Sequence, residues 1–497
     1  MKLVVDRKKR ETITEVIFYV LVFAAITCFA MIQTFGDPPD EINRFKVVNY
    51  ICNHGRLPQG ADPEVIIAGY GASYAFQPML TYIIQGFLLR FLKLFTADSY
   101  ILLLAARMVN VIFGVAMAYY VRESSKEAWK NPFIQWAFTL LVVFLPQNIF
   151  LHSYVNTDSM AMLSVAMIFY ALLRGQRTDF ERRDCITLAV GIILCAMSYY
   201  NAYGIILAAI LIFAFHYVHY VHGLENGESR KKRIIVDWKM MFKKGIFISV
   251  IVLLGCGWWF IRNAVLYGGD IFAMAARREC AIETASADYN PLTYLTYQNS
   301  GATLREMLFT TGYITLMRDS FIAMFGPMLI PTHGLIYIYY KRLWIVTGIA
   351  ALIPAEWIKG VKKEMGFHDG LAEWGTERNV SKSERLLFLG GMLLFTVITI
   401  GLAIYYSYTW DFQPQGRYIL PVLMPLMYLV AAGMRKICIF LDSSRGMLLG
   451  RWLGRAFCLG IMTFVMLAFT YSLFRRFIPH YMSMENMFQM YGKPFLP

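Results

Sequence analysis

Apolar runs of about 20 residues recur along the chain, separated by short polar blocks. A helix needs roughly 20 apolar residues to cross a hydrocarbon core of about 30 Å. The runs predict spans at 13–34, 100–121, 133–151, 159–175, 185–200, 203–221, 245–265, 337–357, 386–407, 419–439 and 456–474, about eleven in all. A further stretch, 78–96 "PMLTYIIQGFLLRFLKLFT", is also long enough to cross. Its Arg90 and Lys93, three residues apart, share one helical face, as they would in a helix lying in the membrane surface.

Composition agrees with the pattern. The 497 residues are 58% hydrophobic and 16% charged, against about 25% charged in soluble domains. This excludes a large soluble helical protein and predicts an all-α, polytopic membrane protein forming a single domain over 1–497. The net charge of +14 would suit a nucleic-acid binder, but the Lys and Arg residues cluster in short blocks between apolar runs. The positive-inside rule explains them better. If 78–96 does not cross, 30 of the 47 Lys and Arg fall on the cytoplasmic side. If it does cross, "RKKRIIVDWKMMFKK" is left outside, against the rule. The segment is therefore read as interfacial or re-entrant. The start "MKLVVDRKKR", with no small-residue cleavage site after it, reads as a signal anchor with a cytoplasmic N-terminus.

The outer segments are then 35–99, the turn at 152–158, 266–336, the turn at 408–418 and the tail after 475. The two long loops hold many aromatics and few Ser or Gly runs, so short membrane-surface helices are expected in them. Cys52 and Cys280 fall in these two loops, a placement that would permit a disulfide. No CxxC or zinc spacing occurs. His216, His219 and His222 sit at an expected cytoplasmic interface with no acid nearby in sequence, which suits an interfacial belt rather than a metal site.

With this topology four polar clusters share the outer face. They are Asp37, Asp40 and Glu41 in "GDPPDEINRF"; Asn156 and Asp158 in "YVNTDSM"; Arg262, Asn263, Tyr267 and Asp270 in "GWWFIRNAVLYGGD"; and Gln415, Arg417 and Tyr418 in "DFQPQGRYILP". Plain structural roles exist for each. Asp158 can cap a helix, Pro38-Pro39 can start one, Arg417 can anchor a headgroup, and Gly268-Gly269 can stop a helix. Two further sites carry charge inside apolar runs. Arg107 lies within its span and needs a partner in the bundle, while Lys341 and Arg342 either snorkel or face a polar cavity. Acids beside cations at a water–lipid boundary are what a lipid-phosphate chemistry needs. A carboxylate can act as general base for a hydroxyl, and guanidinium groups can hold a departing phosphate.

The chain resembles the GT-C glycosyltransferases, polytopic enzymes that use polyprenyl- or dolichyl-phosphate sugars. The resemblance is to the protein O-mannosyltransferase and aminoarabinose transferase branch, and more to a poorly characterised bacterial branch. It rests on Pro39-Asp40-Glu41, Phe76-Gln77-Pro78, Asn156-Thr157-Asp158, Trp259 through Gly268, and Gln415 through Pro421, in order over most of the chain. It implies a GT-C core with an outward-facing site, in a multi-pass protein of the bacterial plasma membrane serving cell-envelope glycan biosynthesis. Asp40 matches the family's catalytic base, Glu41 its neighbour, and Asp158 the second-loop acid. Arg417, with Arg262, Arg107, Lys341 or Arg342, would hold the donor phosphate. Asn156, Gln415, Tyr418, Asn263 and Tyr267 would line the substrate site. The large soluble C-terminal domain of some relatives is missing, as is the WWDYG-type motif of oligosaccharyltransferases. Some relatives need a divalent cation (Mg2+ or Mn2+) and others do not, and the scattered acids do not decide it. The expected function is inverting transfer of a single sugar from a polyprenyl-phosphate donor to a glycan, lipid or protein acceptor on the extracytoplasmic face. The alternative is a transporter or flippase of a lipid-linked or sugar substrate. That reading lacks the paired, broken helices of inverted repeats.

Overall fold

In the computed structural model, eight of the described helices are long and apolar enough to cross a membrane. The structure describes residues 2–222, 232–354, 357, 382–442 and 447–482. Parts of the basic blocks at 230–244, 359–385 and 435–455, and the end of the tail, lie outside these residues. The long helices are α1 (Lys2–Ile32), α4 (Ser99–Ala128), α7 (Asp158–Thr178), α10 (Trp238–Leu266), α14 (Gly334–Leu352), α15 (Lys382–Thr409), α16 (Leu423–Asp442, led in by a 3-10 turn at Gly416–Val422) and α17 (Met447–Tyr471). After α17 the chain makes a π turn, Ser472–Phe477, and ends its described part in α18 (Ile478–Tyr481).

Three of the eleven expected spans are shorter than the apolar pattern suggested. The run 133–151 is broken into α5 (Pro132–Val143) and α6 (Pro146–Leu151). Pro146 has no N–H to donate and holds Leu145 out of helical geometry. The runs 185–200 and 203–221 form α8 (Arg182–Ala196) and α9 (Gly204–His216). Beyond His216 the alternating "VHYVH" is strand β1 (Val218–His222), paired antiparallel with β2 (Lys232–Val236). Here β-branched and aromatic residues at period two override the helical expectation. His216 is not an isolated belt residue either. It is buried between Asp179 and Glu384, each 3.2 Å away, acids brought in from distant sequence.

α7 is the centre of the bundle and almost wholly buried, with α4 and α8 packed directly on it. Its small residues Ala161, Ser164, Ala166 and Ala171 face neighbours on every side. Within lipid, such close packing replaces the hydrophobic drive that water supplies elsewhere. One result concerns the site: the helix that begins at Asp158 is held rigidly by its surroundings.

The two long loops are helical, as expected. Residues 33–98 contain α2 (Glu41–His54), a 3-10 turn at Tyr74–Phe76 and α3 (Leu80–Leu92). At 13 residues, α3 is about 20 Å long, too short to cross a core of about 30 Å, and it lies against α2. Residues 267–333 hold α11 (Met274–Thr284), α12 (Leu304–Thr310), α13 (Tyr313–Ile322) and a small hairpin, β3 (Met324–Phe325) with β4 (Ile330–Pro331). All eight cysteines are free thiols, so Cys52 and Cys280 are not paired.

Candidate functional site

The site forms where α1 ends. Pro38 and Pro39 fix two backbone angles and carry no N–H, so the chain turns before α2 begins. Between them and α2 sits Asp40, in the left-handed conformation (φ 64°, ψ 9°). Asp is one of the few residues other than Gly that visits this region. Although Asp40 occupies the cap position, its side chain makes no cap hydrogen bond. It turns instead to Arg417, whose Nη2 donates to Oδ2 at 2.6 Å. Arg417 also donates to the Pro39 carbonyl at 3.4 Å and to Tyr418 Oη at 3.1 Å. Its neighbour Gly416 makes this approach feasible: a Cβ there would lie 2.1 Å from the backbone N of Phe321.

Electrostatics at Asp40 follow from its surroundings. Burial alone would raise its pKa, but Arg417 and then Arg44 outweigh that, with hydrogen bonds from Arg417 and Tyr74, and hold it down at about 2. The carboxylate is therefore an anion at neutral pH. Its side chain remains 33% exposed, so one face is open.

Glu41, the next residue, is fully buried. Arg107 grips it through both oxygens, Nε to Oε1 at 2.8 Å and Nη2 to Oε2 at 2.6 Å. Glu41 also accepts from the backbone N–H of Gly36 (3.2 Å) and Val155 (3.1 Å). Arg107 gives its remaining donors to the carbonyls of Ala30, Gln33 and Thr34, the frayed end of α1. The intramembrane cation thus has the bundle partner its cost demanded, and both groups are buried. The pair joins α1, α2, α4 and the 152–157 turn.

Asp158 opens α7 but does not act as its cap. It accepts from Arg44 Nη1 at 2.6 Å, both side chains buried. Thr157 holds the cap position without a side-chain cap bond, and Asn156 before it does that work: its Oδ1 accepts from Ser159 N at 2.8 Å and its amide donates to the Leu151 and Tyr154 carbonyls. Several buried polar atoms around these pairs have no hydrogen-bond partner: Asp158 Oδ1, Arg44 Nε, Arg417 Nε, Tyr154 Oη and Gln415 Oε1. A narrow cleft of about 10 Å³ runs beside Arg417 and is lined by Pro39, Gln147, Ser320 and Gln415 among others.

Of the other expected site residues, Tyr418 is hydrogen-bonded to Arg417, and Arg262, Asn263 and Tyr267 are tied to neighbouring loops. Arg262 donates to the Pro58 carbonyl at 2.7 Å, and Tyr267 Oη accepts from Gly60 N at 2.9 Å. Together they clamp α10 to the first loop. Asn263 is buried and holds the Ile271 carbonyl at 3.2 Å. Tyr418 bridges Arg417 and Gln413. Lys341 and Arg342 lie on an exposed stretch of α14, Arg342 at the edge of an apolar groove against α17. Among the described residues, no hydrogen bond or ion pair joins either to the Asp40 group. Likewise, no group of three or more His, Cys, Asp or Glu is placed to hold a metal ion. Asp40 and Asp158 are each matched to an arginine.

Sequence reasoning missed Arg44, which holds Asp158 and lies 5.2 Å from the Tyr74 ring centre, and Tyr154. The signal for Arg44 was available, since it falls one helical turn after Asp40. Tyr154 carried none beyond its place in the turn.

A family model described as "Predicted membrane protein (DUF2142)" matches residues 53–427. The chain belongs to the DUF2142 family. The DUF2142 match takes in Arg107, Asp158 and Arg417 but begins after Asp40, Glu41 and Arg44. None of the curated proteins matches this DUF2142 chain in sequence. Among solved structures it is similar to ArnT from Cupriavidus metallidurans bound to undecaprenyl phosphate. That match has TM-score 0.50 and 11% identity, over 93% of this chain and 76% of that one. It is also similar, with TM-score 0.44 and 13% identity over 92% of this chain and 56% of that one, to the oligosaccharyltransferase AglB from Archaeoglobus fulgidus in complex with an inhibitory peptide and a dolichol-phosphate. The fold of this DUF2142 protein is GT-C.

Proposed function

We propose that the protein is an inverting glycosyltransferase that moves one sugar from a polyprenyl-phosphate donor to an acceptor hydroxyl on the extracytoplasmic face of a membrane. The observation that carries this reading is the Asp40–Arg417 pair: an open-faced carboxylate held against a buried guanidinium that keeps an unpartnered Nε. The fold shared with ArnT, whose structure holds undecaprenyl phosphate, supports the donor class.

In this reaction Asp40 takes the proton of the acceptor hydroxyl. The acceptor oxygen bonds to the anomeric carbon as the bond from that carbon to the phosphate oxygen breaks on the opposite face. The lipid phosphate leaves as an anion onto Arg417. A carboxylate with a pKa near 2 is a weak base, and the same pair supplies the remedy. A donor phosphate draws the Arg417 guanidinium to itself, which removes the largest influence holding Asp40 down. Donor binding therefore arms the base. Arg44 and Asp158 hold the floor of the pocket in register. Arg262 and Arg107 act through structure, and Lys341 and Arg342 meet lipid headgroups.

The test supplies labelled polyprenyl-phosphate sugars and membrane extract to the purified protein, wild type against Asp40→Asn. Transfer by the wild type and its loss in the variant is expected. Equal transfer by both would remove Asp40 from the chemistry.

A further inference from the structure

Above the Asp40 corner, residues from three separate segments form an aromatic surface. Tyr70 stacks on Tyr289 with ring centres 4.3 Å apart at 27°. Tyr289 lies nearly parallel to Tyr294 at 6.2 Å. Trp410 lies parallel to Tyr406 at 6.4 Å, with the Arg278 guanidinium 5.8 Å from its ring. Packing does not hide these rings: Tyr70 is 44% exposed, Tyr289 42% and Trp410 38%. Aromatic side chains normally bury their faces, and exposed clusters of them mark binding sites.

The surface is built rather than incidental. Ser286 N donates to the Gly69 carbonyl at 2.9 Å, and Thr284 Oγ1 donates to the Gly71 carbonyl at 2.7 Å. Gly71 has φ +67°, and a Cβ on it would fall 2.3 Å from Ala285 N. These contacts lock the Tyr70 loop to the Tyr289 loop. Polar groups edge the rings. Tyr294 Oη donates to Asp411 Oδ1 at 3.1 Å, and Asp411 also accepts from Gln413.

That edge continues into the proposed active site. Gln413 accepts from Tyr418, Tyr418 accepts from Arg417, and Arg417 donates to Asp40.

We infer that this surface, Tyr70, Tyr289, Tyr294 and Trp410 with Asp411, is the docking platform for a saccharide acceptor. Hexose rings present an apolar C–H face that stacks on aromatic rings, and an equatorial fringe of hydroxyls that a carboxylate and an amide can accept and donate to. Asp411 and Gln413 sit where the fringe would lie. The hydrogen-bonded chain from Asp411 to Asp40 leads from the platform to the position where an acceptor hydroxyl must give up its proton. The assignment narrows the acceptor of the proposed transferase to a glycan and rests on that reading for its role, but the binding itself is measurable without a donor.

The experiment is saturation-transfer NMR on the full chain in nanodiscs with maltohexaose and mannohexaose as probes, beside an uncharged hexapeptide. Wild type, Tyr289→Ala, Trp410→Ala and Asp411→Asn are compared, each checked for an unchanged melting temperature. Saturable binding of either hexasaccharide, weakened about tenfold by Tyr289→Ala or Trp410→Ala, is the expected result. Absence of binding by both sugars up to roughly 20 mM, or binding that none of the three substitutions weakens, overturns the platform. Binding of the peptide alone, lost in the same variants, overturns the saccharide assignment in favour of a peptide acceptor. The wild type separates the two proposals: hexasaccharide binding without transfer from any polyprenyl-phosphate sugar supplied sinks the transferase and leaves the platform. Transfer to a lipid acceptor with no sugar binding sinks the platform alone.

Discussion

Asp40 and Glu41 are adjacent acids, each paired with an arginine at 2.6 Å, and they do opposite things. Glu41 is sealed, held through both oxygens, and accepts two backbone N–H groups besides. Asp40 sits in a left-handed backbone, holds its arginine through one oxygen and keeps an open face. The difference shows how one corner can hold a sealed, anchoring acid beside an open one. A satisfied buried pair fixes the chain, and that fixed chain presents the next residue in a conformation it would not choose, at a penalty of order 1 kcal/mol or more.

Four experiments bear on this contrast. The largest effect is expected from Asp40→Asn, which should cut sugar transfer by about 10²- to 10⁴-fold while moving stability by only about 1 kcal/mol; a loss of folding instead would erase the distinction. Glu41→Gln should do the reverse, destabilising the protein by about 3–5 kcal/mol through an unpaired, buried Arg107. Thermal unfolding in nanodiscs reads it, and an unchanged midpoint would mean that the pair anchors nothing.

The third experiment concerns the pKa of Asp40. With Arg417 in place, its carboxylate titrates at about 2, so the acid side of kcat/KM should be flat above about pH 4. Arg417→Gln should shift the acid limb of the residual activity up toward the ordinary carboxylate range, near 4. An unmoved limb would show that Arg417 does not set the base. The smallest effect is on stability. A depressed folded-state pKa stabilises above the unfolded value of about 3.9 and is lost as pH falls toward about 2. Wild type should therefore lose stability between about pH 4 and pH 2 relative to Asp40→Asn, by a modest amount because the side chain is partly exposed.

The reach of sequence differs between these two acids for a physical reason. The bundle was legible because lipid imposes a length and a polarity on every crossing helix, and α3 was legible as a non-crossing helix because a crossing there would have left the basic stretch 230–244 on the outer side. The acidic corner was legible from Pro38-Pro39 and its neighbours. The partners were not. Arg107 was visible as a cation in need of an acid, yet nothing in sequence selects Glu41 over Asp40 for it. That choice is made by the left-handed turn at Asp40, which rotates one carboxylate inward and the other out. Asp158 read equally well as a cap until Asn156 took that work. The breaks at Pro146 and after His216 were misread because apolar content was weighed above Pro geometry and period-two alternation.

The two pairs also differ in when they can exist. Glu41 and Arg107 are 66 residues apart in the chain, whereas Asp40 and Arg417 are 377 apart. A ribosome adds about 5–20 residues per second, so the anchor can close roughly 15–60 s before Arg417 has been made. During that interval Asp40 has no Arg417 to pair with. Synthesis of the Gly416–Val422 turn and α16 then brings the counter-charge at Arg417. A chain cut before Arg417 can thus close the Glu41–Arg107 pair while Asp40 has no counter-charge.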